Sequence, residues 1–369
     1  MPIKIKAAVN RVPGASPVIE TLMLDDPADD ELIIRIEAAG ICHTDISFAQ
    51  MIETPRVLGH EGAGTIVAIG AGVTDFEIGD RVIATFGSCG ACPNCDAHRP
   101  AYCYTGLMLN IFGIRPQGTP LHSMDGTDVG GAFFQQSSFA THALVTQRNV
   151  VKIPDGIDMV TAAPFGCGIQ TGAGAVFNQL GALPGRPLLV IGAGAVGMAA
   201  VMAGRIVGCD PIIIVELSAE RRELALELGA HQALDGADSE WVEQVIKITG
   251  GGATAALDTA GVQSTFEGSL KALHAGGTLG VVNSPSGVGE PVQHPGGLDF
   301  VAKTIVGVIE GDSLPSEFLP RLMAYYLAGE FPVDRLIQTF PFDEIDQAFE
   351  AARLHRVIKP VLTFASENS

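Results

Sequence analysis

The chain has 369 residues, 47% hydrophobic and 17% charged, which supports a large core and two or three domains and excludes a disordered polyelectrolyte. Its 22 basic and 41 acidic side chains leave a net charge of −19, so neither nucleic acid nor an acidic membrane surface is expected as a partner. No uncharged run reaches the length of a membrane span and the first residues lack a signal-peptide core, so a soluble cytoplasmic protein is expected.

Residues 1–165 read as a twisted, mostly antiparallel β domain, because glycine-punctuated alternating runs such as 31–36 and 64–70 suit half-buried strands separated by turns. Two small-residue motifs stand inside it, Cys42-His43-Thr44-Asp45 and Gly59-His60-Glu61-Gly62. A lobe at about 87–105 then carries Cys89, Cys92, Cys95 and Cys103, with Gly87, Gly90 and Pro93 supplying turns. In a reducing compartment such clustering indicates metal rather than disulfides. Four closely spaced thiolates wrap one tetrahedral ion in the manner of a structural zinc site. An iron–sulfur cluster uses four cysteines too, but no other electron-transfer feature accompanies them. Cys167 follows in Gly166-Cys167-Gly168. Taken singly, Cys42 and Cys167 read as buried thiols and His60 as a core histidine. Two thiolates and one imidazole on a shared ion would leave a tetrahedral position open, which permits Lewis-acid chemistry.

From residue 166 to about 310 short apolar runs alternate with helical segments, the pattern of a doubly wound parallel sheet. Strands are expected at 188–191, 211–216, 255–258 and 277–282, and helices at 198–207, 218–228, 239–249 and 264–273. Ser218 suits an N-cap, and Gly208 and Gly229 suit helix stops. Gly192-Ala193-Gly194-Ala195-Val196-Gly197 fits the dinucleotide fingerprint, with Gly192, Gly194, Val196 and Gly197 at the strand-to-helix turn. Glu216 ends the next strand, where a carboxylate accepts both ribose hydroxyls of NAD and repels a 2′-phosphate. Arg221 and Arg222 keep NADP open as a minor option, and as a solvated helix face they would carry no role. Residues 311–369 offer helices at 319–327 and 345–354 and a strand at 361–364, too little to fold alone, so they are expected to return to the first domain.

The two motifs at Cys42 and His60, the four-cysteine lobe and the Gly192 fingerprint, in this order, resemble the zinc-containing medium-chain alcohol dehydrogenases over essentially the whole chain. Phe165-Gly166-Cys167-Gly168-Ile169-Gln170-Thr171 and Phe134-Gln135-Gln136-Ser137-Ser138-Phe139-Ala140 resemble the bacterial aryl-alcohol and geraniol dehydrogenases within that family. The resemblance implies an α/β architecture: a GroES-like catalytic domain, joined by the carboxyl-terminal segment, and a Rossmann coenzyme domain. It implies two zinc ions per subunit, a catalytic one on Cys42, His60 and Cys167 with Glu61 behind it or as a transient ligand, and a structural one in the lobe. Asp45 would fix the tautomer of His60, Thr44 would begin a proton relay, and Thr171, His43 and Lys359 would contact the nicotinamide and pyrophosphate; Arg221 and Arg222, by their position after Glu216 and apart from the resemblance, are candidates at the adenosine. Where the family's relay usually ends in a histidine this chain has Ser47, which is no base near pH 7; water, His43 or a histidine that the sequence does not identify must serve.

The implied activity is reversible oxidation of aryl or allylic primary alcohols to aldehydes with NAD, by a homodimer or homotetramer. Polyols or aliphatic alcohols are the alternative substrates, and a non-catalytic nucleotide-binding redox sensor is the alternative class. Phe86, Phe112 and Phe134 are candidates for an aromatic substrate wall, although core residues would look the same. Cys209 reads as a buried thiol.

Overall fold

Alternating apolar and polar residues make a strand of Ile3–Asn10, whose inward face holds Ile5, Ala7 and Val9. The computed structural model describes residues 2–51, 55–283 and 301–365. Among them no helix is long and apolar enough to cross a membrane. The chain divides into two units. One comprises the residues up to Cys167 together with Leu314–Leu327 and those from Val333 onward, and the other Gly168–Ser313 with Ala328–Pro332.

The first unit is built on two sheets. Five strands run in the order Arg56–Val57, Ile3–Asn10, Val18–Leu24, Leu121–Ser123, Asp128–Val129, with antiparallel neighbours. The second sheet is centred on Glu31–Gly40, which pairs antiparallel with Gly62–Ile69 and His142–Thr146. Lys359–Thr363 pairs antiparallel with it at Val361↔Gly40 and Leu362↔Ala39, and Ile337–Pro341 lies beyond as the edge strand. Leu22, Leu32, Ile34, Ile66, Phe133 and Phe139 are buried in one apolar cluster, joined by Ile345 and Ala348 of the helix Ile345–Arg353.

The second unit is a six-stranded parallel sheet in the order Gln232–Asp235, Ile212–Glu216, Leu188–Ile191, Ala253–Asp258, Leu273–Val281, Thr304–Gly307. Numbered along this unit the order is 3-2-1-4-5-6, the doubly wound dinucleotide-binding arrangement. The order reverses between Leu188–Ile191 and Ala253–Asp258, so the crevice at their carboxyl ends, Ile191 opposite Asp258, is the place for a ligand. The helix Ala195–Val207 starts directly after it and stops at Gly208, which is left-handed at φ 84°. Ser218 caps the helix Ala219–Leu228 by accepting from the N–H of Arg221.

Strands Gln232–Asp235, Thr304–Gly307 and Ile337–Pro341 are additional to the sequence reading. All three are short and carry half-exposed residues, so they lack the apolar run that marks a buried strand. The helix placed at 319–327 begins earlier, at Pro315. Pro315 stands in the first turn, where its missing N–H needs no partner, and Pro320 lies inside the helix.

Two candidate metal centres and a nucleotide crevice

Cys42 lies just before the helix His43–Met51, whose first turn carries Asp45. The Asp45 carboxylate is buried and ties two loops together. Oδ2 accepts from the N–H of Cys42 at 2.9 Å, and Oδ1 accepts from the N–H of Gly59 at 3.0 Å and meets His60 Nδ1 at 2.9 Å. Nδ1 therefore keeps its proton, and Nε2 is left with a lone pair. That Nε2 is fully buried without a hydrogen-bond partner. Around it the structure gathers Cys42, Glu61 and Cys167, and one ligand atom from each of the four residues lies within 4.8 Å of the others. An orphaned imidazole nitrogen facing two sulfurs fits a soft divalent cation such as zinc.

A hydrogen bond with Cys167, aided by His60, holds the Cys42 thiol well below its usual range in spite of burial. Burial opposes charge on His60, but the Asp45 carboxylate and the Cys42 sulfur outweigh it and raise the imidazole well above its ordinary value. The lowered thiol is the form that ligates metal, whereas the raised imidazole favours the protonated ring, from which a bound cation displaces the Nε2 proton.

Glu61 has a buried partner of its own. Lys359 Nζ lies 2.8 and 2.9 Å from its two oxygens and 3.3 Å from the Ile41 carbonyl. Lys359 was expected at a pyrophosphate. It is instead 2% exposed and turned onto Glu61, because a buried carboxylate requires a counter-ion. Glu61 Oε2 lies where a Cβ on Gly40 would stand, 2.0 Å away, so this carboxylate position depends on glycine there.

Of the aromatic candidates, Phe134 reaches the cluster. Its ring stacks on His60 at 4.5 Å and 24°, and Phe133, absent from the sequence reading, meets the same imidazole edge-on at 5.6 Å. Phe86 is buried, whereas Phe112 is 51% exposed. Thr44 Oγ1 is 3.7 Å from Cys42 Sγ and Ser47 lies three residues further along the same helix, both half-buried, with His43 exposed at the helix start.

In the lobe the four sulfurs of Cys89, Cys92, Cys95 and Cys103 also lie within 4.8 Å of one another. Cys95 Sγ is 3.9 Å from Cys89 Sγ and 3.5 Å from Cys92 Sγ, bracketing the roughly 3.8 Å expected around tetrahedral zinc. Backbone N–H groups point at the sulfurs, Cys89 to Cys103 at 3.2 Å and Tyr104 to Cys92 at 3.5 Å. The N–H groups of Tyr104 and Cys95 lower Cys92 to about 6.

In the crevice of the second unit, Gly197 packs so closely that a Cβ would stand 1.8 Å from the Gly192 carbonyl, while a Cβ on Gly194 would meet nothing within 4 Å. Gly194 thus borders open space at the start of a helix with no side-chain cap, a cradle suited to a pyrophosphate. Glu216 Oε2 accepts from the N–H of Ala193 at 2.7 Å and Oε1 from that of Ser218 at 2.8 Å. The Arg222 guanidinium is spent on the carbonyls of Glu216 and Leu217 and on Asp235. Arg221 is half-buried on the same helix. Thr171 is buried on the helix Gly168–Gly174, which packs so tightly against Ala195–Val207 that a Cβ on Gly172 would stand 1.9 Å from the Val196 carbonyl.

Residues 28–155 match the alcohol dehydrogenase GroES-like domain and residues 195–325 the zinc-binding dehydrogenase domain. A geraniol dehydrogenase of Castellaniella defragrans is 42% identical over 98% of both chains. An NDMA-dependent alcohol dehydrogenase of Amycolatopsis methanolica is 33% identical over 99% of this chain and 100% of its own. The benzyl alcohol dehydrogenase structure from Acinetobacter calcoaceticus superposes with a TM-score of 0.94 at 37% identity, covering 98% of this chain and 100% of that one. The chain belongs to the zinc-containing medium-chain alcohol dehydrogenases, with their GroES-like and Rossmann-type domains. It is an oxidoreductase of the alcohol dehydrogenase type, a family that implies zinc and a nicotinamide dinucleotide.

Proposed function

We propose that this enzyme uses NAD to oxidise aryl or allylic primary alcohols to their aldehydes, reversibly, with one zinc ion at Cys42, His60 and Cys167 and a second in the four-cysteine lobe. The observation that carries this reading is the buried, partnerless Nε2 of His60 beside two cysteine sulfurs and beneath the ring of Phe134. Zinc at that position supplies a Lewis acid that favours loss of the alcohol proton.

The protein's own groups do the rest. Asp45 holds His60 in the tautomer that presents Nε2. Lys359 restrains Glu61 by neutralising it, so that Cys42, His60 and Cys167 are the resting ligands. Thr44 Oγ takes the first proton and passes it outward, and Ser47 can relay but not retain it near pH 7, so it ends in water or on exposed His43. Phe134, half-buried and backed by the fully buried Phe133, offers an aromatic surface for a flat or conjugated substrate. The named geraniol and benzyl alcohol relatives support that substrate class.

Glu216 supports NAD over NADP, because a carboxylate at the ribose end repels a 2′-phosphate and Arg222 is already engaged. Gly192, Gly194, Val196 and Gly197 would hold the pyrophosphate and Thr171 the nicotinamide. Among the described residues Thr304–Gly307 is an edge strand of its sheet, a place where a second copy could pair, which supports a homodimer or homotetramer. A panel of benzyl alcohol, cinnamyl alcohol, geraniol, ethanol and a polyol, each with NAD and with NADP, tests the reading. Reduction of NAD by the first three is expected. Preference for ethanol or the polyol, or for NADP, contradicts it.

A further inference from the structure

We infer that Gln136 is a positioning residue that, with Thr85, locks the segments bearing His60 and Cys167 into one prearranged donor set. The inference rests on the assignment of Cys42, His60 and Cys167 as a metal site.

Three ligands from distant parts of the chain must converge without a common helix or turn to hold them. Asp45 joins only two of their segments, those of Cys42 and His60. The third connection is made from the opposite side. The buried amide of Gln136 accepts from the N–H of Gly62 at 3.0 Å and donates to the carbonyls of His60 at 2.9 Å and Thr85 at 3.2 Å. Only this orientation of the amide satisfies all three partners. Thr85 then donates from Oγ1 to the carbonyl of Gly166 at 2.8 Å, one residue before Cys167. A continuous chain of hydrogen bonds therefore runs from the His60 segment through Gln136 and Thr85 to the Cys167 segment.

The loop that delivers Gln136 is held in an unfavourable shape. Phe134, Gln135 and Ser137 have φ of 51°, 55° and 50°, left-handed values that non-glycine residues adopt only when their surroundings compel it. The compulsion is visible. Ser137 Oγ accepts from the N–H groups of Ala132 and Phe133 and donates to the Val57 carbonyl. Asn149 Nδ2 donates to the carbonyls of Thr85 and Gln135. The same loop lays Phe134 over His60, so one strained turn fixes both the imidazole's aromatic neighbour and its backbone.

Partners that orient ligands typically alter metal affinity by about 10- to 100-fold when removed. The four-cysteine lobe serves as a control within the same molecule. The experiment follows zinc release from the intact enzyme to a chromogenic chelator, with Cys42→Ser identifying the phase that belongs to the triad. Gln136→Leu and Thr85→Val are expected to speed that phase about tenfold or more, while the lobe phase stays at the wild-type rate. Thr85→Ser, which keeps the hydroxyl, is expected to retain the wild-type ratio of the two phases. In the cobalt-substituted protein, Thr85→Val is expected to shift the triad's thiolate band.

An unchanged ratio of the two phases in both Gln136→Leu and Thr85→Val overturns the inference, and if Gln136→Leu does not fold, Thr85→Val alone decides. A wild-type protein that releases zinc only from the lobe overturns the metal assignment and this inference with it.

Discussion

Lys359 Nζ lies 2.8 Å from Glu61 Oε1 and 2.9 Å from Oε2, and both residues are sealed from solvent. The pair links the last strand of the chain to the loop behind His60. Burial alone would lower the Lys359 ammonium, but the Glu61 and Cys42 charges outweigh it and raise it. Removing one partner of such a pair leaves an uncompensated buried charge and costs about 3–5 kcal/mol. Lys359→Met is therefore expected to lose that amount in urea unfolding, and Lys359→Met with Glu61→Gln to recover most of it. A loss under about 1 kcal/mol in Lys359→Met would place the stabilising counter-charge elsewhere.

The two later glycines of the fingerprint are expected to fail differently. A methyl group at 197 collides with the Gly192 carbonyl, whereas one at 194 enters open space. Gly197→Ala should lower thermal stability and dinucleotide binding together. Gly194→Ala should melt as the wild type does yet bind NADH at least about tenfold more weakly, because its methyl occupies the approach of the pyrophosphate. Equal NADH affinity in Gly194→Ala and wild type would remove the pyrophosphate from that position.

Glu216 presents a carboxylate at the end of Ile212–Glu216, engaged by the N–H groups of Ala193 and Ser218. Hydrogen bonds to a charged group contribute about 1.5–3 kcal/mol, or roughly 10- to 150-fold in binding. Glu216→Ala is expected to raise the KM for NAD by an amount in that range and to narrow the gap to NADP. Unchanged discrimination would mean that the choice of cofactor is made by other residues.

Phe134 stacks on His60 and Phe133 supports both rings. Aromatic pairs contribute about 0.5–1.5 kcal/mol beyond area burial, so Phe134→Ala should lower kcat/KM for benzyl alcohol several-fold more than for ethanol. An equal fall for both alcohols would assign Phe134 to holding His60 rather than to substrate choice.

What could be read in advance follows from how local each feature is. The Gly192 turn and the four-cysteine lobe are set by spacing within a short stretch: a helix starts at Ala195, and the four sulfurs lie within 4.8 Å of one another. The open cluster depends on Cys42, His60 and Cys167 meeting across three separate segments, which no local pattern reports, so only resemblance pointed to it. Gln136 and Thr85 act through side chains that bond backbone groups of distant segments, and in sequence those side chains look like polar loop residues. The pairing of Lys359 with Glu61 was not legible, because the two are distant in sequence. The edge strands Gln232–Asp235 and Thr304–Gly307 were hidden for a related reason: their pairing partners, rather than their own composition, make them strands.

The central claim is that Cys42, His60 and Cys167 hold an ion on which alcohol oxidation depends, separate from the ion of the lobe. Metal content per chain, measured alongside NADH binding and benzyl alcohol turnover in wild type and Cys42→Ser, tests it most directly. The account predicts two zinc ions in the wild type, and in Cys42→Ser one ion, undiminished NADH binding and no turnover. One ion in the wild type, or a Cys42→Ser enzyme that keeps both ions and its activity, would contradict it.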